Sequence, residues 1–336
     1  MTPNEQLLDS QILWQVLLLR YGAYVRSRIV EVLNGTESNV ASQIRGALAT
    51  DPGNRDPNRM AELERLVRRL EDARRAAWQR GADVAEKHLG ALAEAEEEHD
   101  NDLYGLWLPD LRRPSWLVLA GLALAAPVQG RTVRRWLEDA ATDDGRRIRT
   151  AVFAGAGLGE TPAQIARRVV GSARANGLDG ATQISRNHID TITRTGAIHV
   201  SAFTRDQFFR LNPQVLALEQ FVAVLDGATT PLCRGLDGNR YPLGTGPIPP
   251  LHMRCRSIRY AVLPREVGGP IPEPEVYGAW IRRQSQAVQV ELMGATRAAR
   301  MRAGAFDADK FTDYGAREMS LDQVRAAARR LMGYEV

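Results

Sequence analysis

The chain's two cysteines lie in one short segment together with a histidine. Cys233, His252 and Cys255 fall within residues 231–255, PLCRGLDGNRYPLGTGPIPPLHMRC, whose prolines and glycines rule out a long helix. Thiolate sulfur and imidazole nitrogen are preferred ligands of zinc, and two ligands from one tight turn with a third from across a loop are typical of small structural sites. With Asp226 or water as the fourth ligand, these residues form a candidate structural zinc site.

Two other interpretations of the cysteines stay open at this level. A disulfide between Cys233 and Cys255 would stabilise the fold by ~3 kcal/mol in the chain-entropy model, although a reducing cytoplasm disfavours it during synthesis. Alternatively, both are buried as small apolar side chains, with the loop held by its prolines and by hydrogen bonds.

The same segment offers residue types for catalysis. A cysteine nucleophile would pair Cys233 or Cys255 with His252 and Asp237, and a metal-dependent nuclease would use Asp226, Asp237 and His252. No surrounding signature supports either, and carboxylates in turns are common for structural reasons. A metal- or thiol-dependent hydrolase or nuclease is therefore the alternative function.

The elements that position this segment are mostly helices. Strands are predicted at 221–225 and 254–264, where apolar residues are β-branched or alternate with arginines. The fold class is therefore mainly α with a small antiparallel β unit (α+β). Apolar periodicity and capping signals predict helices over residues 5–48, from Asp56-Pro57 toward 102, 157–171 with a capping box at Thr161 and Gln164, 181–210, 276–302 and 320–332.

Two conspicuous runs are expected to be structural. The acidic run EAEEEHDND at 94–102 is predicted to be a solvated helix face, because its acids show no ligand geometry. The apolar run WLVLAGLALAA at 116–126 is too short for a membrane span and predicts a buried helix.

The composition is that of a globular protein. The chain has 336 residues, 44 of them basic and 40 acidic, and nearly all the basic ones are arginine. Arginine suits phosphate and carboxylate partners, but a net charge of +4 is weak support for nucleic-acid binding. The N-terminal residues show no secretory signal pattern, so synthesis in a reducing cytoplasm is expected.

The segment VLDGATTPLCRGLDGNRYPLGTGPIPPLHMRCRS resembles the signature of the phage head morphogenesis family, the Mu F-like minor head proteins. The resemblance is carried by Asp226, Thr230, Cys233, Leu236 to Gly238 and Pro249 to Ser257. PVQGRTVRRWL and GLGETPAQIARR look like the approach to the family's core domain. The sequence departs from the family pattern at Gly196, where a glutamate is common.

The resemblance implies assembly rather than turnover. It implies a helical N-terminal region (1–127), a head morphogenesis core (128–265), and a linker with a helical tail (266–336). Such proteins are minor components of tailed-phage heads that bind the portal protein and sometimes the packaged double-stranded DNA, and are thought to influence genome packaging or delivery. A phage, a prophage or a gene transfer agent could encode one. It would be made in the bacterial cytoplasm and reside in the virion head, with major capsid or scaffold protein as further candidate partners.

The alternation after the cysteine turn supplies one hypothesis about partner contact. In RCRSIRYAVLP, the arginines Arg254, Arg256 and Arg259 would face a partner protein or DNA from a half-buried strand.

Overall fold

The structure, a computed structural model, describes residues 1–49, 58–175, 179–223, 229–308 and 317–332. It is mainly helical with one small antiparallel sheet, which confirms the predicted fold class. The strands are β1 (Leu218–Val222), β2 (Arg240–Pro242) and β3 (Ile258–Val262). The helices are α1 (Pro3–Asn34), α2 (Glu37–Leu48), α3 (Arg59–Gly105), α4 (Trp116–Ala125), α5 (Val133–Gly157), α6 (Pro162–Val170), α7 (Gln183–Leu211), α8 (Pro231–Leu236), α9 (Arg265–Gly268), α10 (Tyr277–Arg283), α11 (Gln286–Met293), α12 (Ala295–Arg302) and α13 (Leu321–Met332).

Helix boundaries follow local capping chemistry. The capping box at Thr161 and Gln164 is present at the start of α6, as predicted. The predicted helix over 276–302 is instead three helices, because Ser285 caps the start of α11 and Gly294, with φ 81°, separates α11 from α12. The predicted start at Asp56-Pro57 lies outside the described residues.

The chain forms two units. The sheet unit comprises Met1–Tyr24, His88–Gly130 and Arg194–Val336, and the helical unit comprises Val25–Lys87 and Arg131–Thr193. Each unit combines residues from more than one of the three regions implied by the family resemblance. The boundaries at 127/128 and 265/266 stay predictions.

The helical unit has an apolar core between α2, α3, α5 and α6. Ile44, Leu66, Ile148 and Val169 are among its fully buried members. Beside it lies a buried ion pair, in which Arg74 Nε donates to Asp144 Oδ2 at 2.8 Å. Trp78 Nε1 and Ser185 Oγ also donate to Asp144, so hydrogen bonds offset much of the cost of burying this carboxylate.

The sheet of the sheet unit has the strand order β2–β1–β3, with both pairings antiparallel. β1 begins at Leu218, three residues before the predicted strand, and Phe221 lies opposite Arg259 on β3. All five residues of β3 are buried, which corrects the prediction of a half-buried strand. Alternating arginines suggested a solvated face, but helices of the same unit contact the strand.

Two side chains occupy the outer edge of β3. The Tyr104 hydroxyl, on α3, donates to Ala261 O at 2.9 Å and accepts from Ala261 N at 3.0 Å. Asn4 Oδ1, on α1, accepts from Leu263 N at 3.0 Å. These contacts satisfy backbone groups that an edge strand would otherwise present to another chain.

The acidic run at 94–102 is not a solvated face. Glu96, Glu97, His99 and Asp100 are buried on α3. α1 and α7 supply their partners: Trp14 Nε1 donates to Glu96 at 2.7 Å, Gln11 Nε2 donates to Asp100 at 3.0 Å, and Arg205 forms ion pairs with both carboxylates. The prediction failed because these donors come from helices distant in the sequence.

Among the described residues, no helix is both long enough and apolar enough to cross a membrane.

Candidate metal centre

Cys233, His252 and Cys255 form one cluster in the sheet unit, as the sequence predicted. Their ligand atoms all lie within 4.8 Å of one another. Cys233 Sγ is 3.2 Å from His252 Nε2 and 3.7 Å from Cys255 Sγ. Both cysteines are buried and not bonded to each other, whereas His252 is half-buried.

The first ligand is placed by the start of α8. Thr230 is the N-cap of this helix, and its hydroxyl accepts from the backbone nitrogen of Cys233 at 3.4 Å. Pro231 occupies the first turn, where its missing N–H costs nothing. Cys233 therefore points inward and packs with Phe221 of β1 and with Cys255.

The other two candidate ligands come from a tight turn that is held by α1 and α7. Cys255 N donates to His252 O at 3.2 Å, which closes the turn. Thr195 on α7 accepts from Arg254 N at 3.0 Å, and Gln15 on α1 donates to the carbonyl of Ser257 at 3.3 Å. These contacts fix the turn relative to the sheet.

The histidine is oriented with one nitrogen toward the thiols. His252 Nδ1 lies 2.9 Å from the carbonyl oxygen of Met253. A carbonyl only accepts, so Nδ1 carries a proton, and Nε2 can offer its lone pair toward Cys233 in the neutral ring. A hydrogen bond from the other ring nitrogen to a carbonyl is one that metal-ligating histidines usually make.

The two thiols differ in acidity because they share a hydrogen bond. Donation from Cys255 lowers the pKa of Cys233 to about 5 against the effect of burial, with smaller contributions from Ser257 and Thr230. The same hydrogen bond, together with burial, raises the pKa of Cys255. The lowered pKa favours the thiolate of Cys233, and the thiolate is the form that binds metal. A metal ion or a proton between this anion and Nε2 would stabilise the arrangement.

The two aspartates considered with this cluster have different outcomes. Asp226, the candidate fourth ligand, lies outside the described residues. Asp237 Oδ1 accepts from Ala223 N at 2.8 Å, and burial raises the pKa of this carboxyl. Asp237 therefore connects the end of α8 to the end of β1 and is not part of the cluster of ligand atoms.

The three candidate contact arginines do not share one environment. Arg254 is exposed and Arg256 is half-buried, and their contact with a partner stays a prediction. Arg259 is only 4% exposed. Its guanidinium pairs with Glu219 at 3.0 Å and with Asp206, which corrects the prediction that it faces a partner.

Glu219 is a structural residue that the sequence analysis missed. This fully buried carboxylate on β1 accepts from the backbone nitrogens of Gly244 at 3.0 Å and Gly246 at 2.6 Å, as well as from Arg259. It holds the loop between β2 and the histidine turn against the sheet. The only signal in the sequence was an acidic residue at the start of an apolar stretch.

The chain matches no family model, and comparisons with curated proteins and with solved structures gave no match.

Proposed function

We propose that this protein is a minor head protein of a tailed phage, prophage or gene transfer agent, which binds the portal protein during head assembly, genome packaging or delivery. The family signature between Asp226 and Ser257 supports this proposal. The described part of that signature forms a loop anchored by α1, α7 and the sheet. Such a loop suits a rigid assembly element.

The observation that carries an assembly role is the exposed face of α4, which corrects the prediction that this apolar run is a buried helix. Leu117, Val118 and Leu122 are 68%, 58% and 51% exposed, and Trp116 is 37% exposed. Residues 114–130 contain no charged side chain. Contiguous apolar surface of this kind marks interaction sites in soluble proteins. A portal surface that covers α4 would have to be apolar as well.

The experiment that tests the proposal is co-expression with the portal protein of the phage, prophage or gene transfer agent that encodes this chain. We expect a stoichiometric complex whose mass is measured by light scattering after gel filtration. A folded protein that elutes alone in the presence of assembled portal would contradict the proposal.

In this proposal the cysteine cluster holds a structural zinc ion. The ligands would be Cys233, His252 and Cys255, with Asp226 or water in the fourth position. Two sulfurs bound at about 2.3 Å to a tetrahedral ion lie ~3.8 Å apart, and the observed separation is 3.7 Å. The bound ion would join α8 to the histidine turn and stabilise the loop.

Metal analysis with thiol titration tests the zinc site. We expect one zinc per chain, two thiols that react only after chelation, and a lower melting temperature of the chelated protein. The double variant Cys233→Ser, Cys255→Ser should lack zinc and should not respond to chelator. Two reactive thiols without metal would indicate apolar packing instead, and an absence of thiols would indicate a disulfide.

The alternative function, a thiol- or metal-dependent hydrolase or nuclease, is favoured by one observation. The acidified thiol of Cys233 lies 3.2 Å from His252, as in a nucleophile–base pair. His252→Ala distinguishes the two functions. An enzyme should lose hydrolysis of nucleic-acid or ester substrates, whereas an assembly protein has no turnover to lose and should only melt at a lower temperature.

A further inference from the structure

One of the basic segments of this chain lies at residues 276–302. Residues 276–302 contain five arginines and a single acidic residue, Glu291, which gives a net charge of +4. This segment contains α10, α11 and α12, all within the sheet unit.

The arginines of this segment are mostly on the surface. Arg282, Arg297, Arg300 and Arg302 are all exposed. On α12, Ala298 and Met301 face the interior, and Arg297 and Arg300 are three residues apart and therefore neighbours on one side of the helix. The helix side toward the interior is apolar and the outer side is basic.

Arg283 of this segment pairs with Asp9 and Glu275, whereas Glu291 pairs with arginines from outside the segment. Arg20 Nη1 lies 2.9 Å from Glu291 Oε1, and this buried guanidinium also donates to the carbonyl of Glu291. Arg330 lies 2.7 Å from Oε2 and Arg317 lies 3.5 Å from Oε1. The side chains of Arg330 and Arg317 are 62% and 70% exposed. Three guanidinium groups thus share one carboxylate, which leaves an excess of positive charge.

The same surface lacks large apolar anchors. Among the described residues of 276–332, Val276 at the start of α10 is the one large hydrophobic side chain that is exposed. The exposed residues between the arginines of α12 are small: Ala295, Thr296 and Ala299. Protein interfaces depend on buried aromatic and aliphatic anchors, whereas a phosphodiester backbone requires positive charge and close approach.

We infer that the outer face of α10–α12, with Arg317 and Arg330 beside it, binds the phosphate backbone of double-stranded nucleic acid without reading its sequence. Guanidinium groups bind phosphate oxygens with two hydrogen bonds, and small residues between them let the duplex approach the helix. The inference rests on the proposed function only for the source of the duplex, which would be the packaged genome. It moves the nucleic-acid contact away from the strand arginines.

The test measures binding of a fluorescent duplex of about 30 base pairs over a range of salt concentrations. We expect the wild-type protein to bind with an affinity that falls steeply as salt rises. The variant Arg297→Glu, Arg300→Glu should bind at least ~10-fold more weakly at low salt, and the slope of log K against log salt should decrease by about 2.

A matched control lies in the helical unit. Arg75 and Arg146 are 65% and 71% exposed on helices, and each pairs with an aspartate three residues away on its own helix. The variant Arg75→Glu, Arg146→Glu has the same change in net charge, and we expect it to bind the duplex nearly as wild type does. Circular dichroism would show that both variants are folded.

Three outcomes would overturn the inference. These are no duplex binding by the wild type at low salt, an unchanged duplex affinity of the Arg297/Arg300 variant, or an equal loss of duplex affinity in the control variant. Portal co-purification of the same proteins separates this inference from the proposed function. Duplex binding through α12 without a portal complex would refute the portal role alone. If the wild type binds no duplex and the Arg297/Arg300 variant loses the portal complex, this surface binds an acidic protein surface instead.

Discussion

Burial raises the pKa of Asp100 to about 7, and nearby charges act on it in opposite directions. Arg205 lowers this pKa, while Glu96 and Glu97 raise it. In the unfolded chain the same carboxyl has a pKa of about 4. Between these values the folded protein keeps a proton that the unfolded chain releases, so the contribution of Asp100 to stability falls as pH rises from ~4 to ~7.

We therefore expect Asp100→Asn to remove part of the pH dependence of stability. The amide cannot ionise, so the melting temperature of the variant should change less than that of the wild type between about pH 5 and 7.5. The measurement is a series of thermal melts across this range. Asp102→Asn, at a partly exposed position on the same helix, is the control and should keep the wild-type slope. Equal slopes in wild type and Asp100→Asn would contradict the prediction.

At the scale of elements, the sheet depends on side chains from helices that cover its edge. The Tyr104 hydroxyl on α3 forms hydrogen bonds with both backbone groups of Ala261 on β3. The side chain of Asn4 on α1 accepts a hydrogen bond from Leu263 N. A three-stranded sheet of this size is weakly stable by itself. Its stability therefore depends on the helices packed around it.

Tyr104→Phe should destabilise the sheet unit, because it leaves a buried N–H and a buried carbonyl without partners. Each orphaned group costs about 1–3 kcal/mol, so we expect a loss of at least ~2 kcal/mol in denaturant unfolding. Tyr260→Phe is a matched comparison, because Tyr260 is also buried but its hydroxyl donates to a side chain, Gln220. We expect a smaller loss there. If Tyr260→Phe lowered the free energy of unfolding more than Tyr104→Phe, the contact of Tyr104 with the edge of β3 would not be the larger contribution to stability.

At the scale of the whole molecule, the sheet unit has two surfaces of different character. The face of α4 is apolar and uncharged, whereas the face of α10–α12 is basic and has no large exposed apolar side chain among its described residues. Two different partners therefore fit them, one apolar protein surface and one phosphate backbone.

The double variant Leu117→Asp, Leu122→Asp should separate the two surfaces. Both side chains are more than half exposed, so the fold should tolerate aspartate, whereas an apolar portal surface would have to bury two charges. We expect loss of the portal complex with at most a modest effect on duplex binding, and the reverse pattern for Arg297→Glu, Arg300→Glu. The measurements are co-purification and duplex titration of each variant. Retention of the portal complex by the α4 variant would exclude this helix as the docking surface.

Local signals in the sequence predicted much of the secondary structure. The α6 capping box formed as predicted because Thr161 and Gln164 are three residues apart in the chain. Helix ends were predicted less well. The run over 276–302 is interrupted at Ser285, which caps the start of α11, and at Gly294, which has a positive φ, although the apolar periodicity continues through both. Glycine at a positive φ explains the second interruption.

The sequence by itself determined the fold class, the α6 capping box and the set of ligand types at Cys233, His252 and Cys255, because all of these depend on residue type and short-range spacing. Only the tertiary structure decided which charged groups are buried. Arg259 was predicted to face a partner and the acidic run on α3 to be solvated, but Asp206, Glu219 and Arg205 pair with them across large sequence separations. The energy of a buried charge depends on the partners that the fold brings to it, and hydropathy patterns do not contain that information.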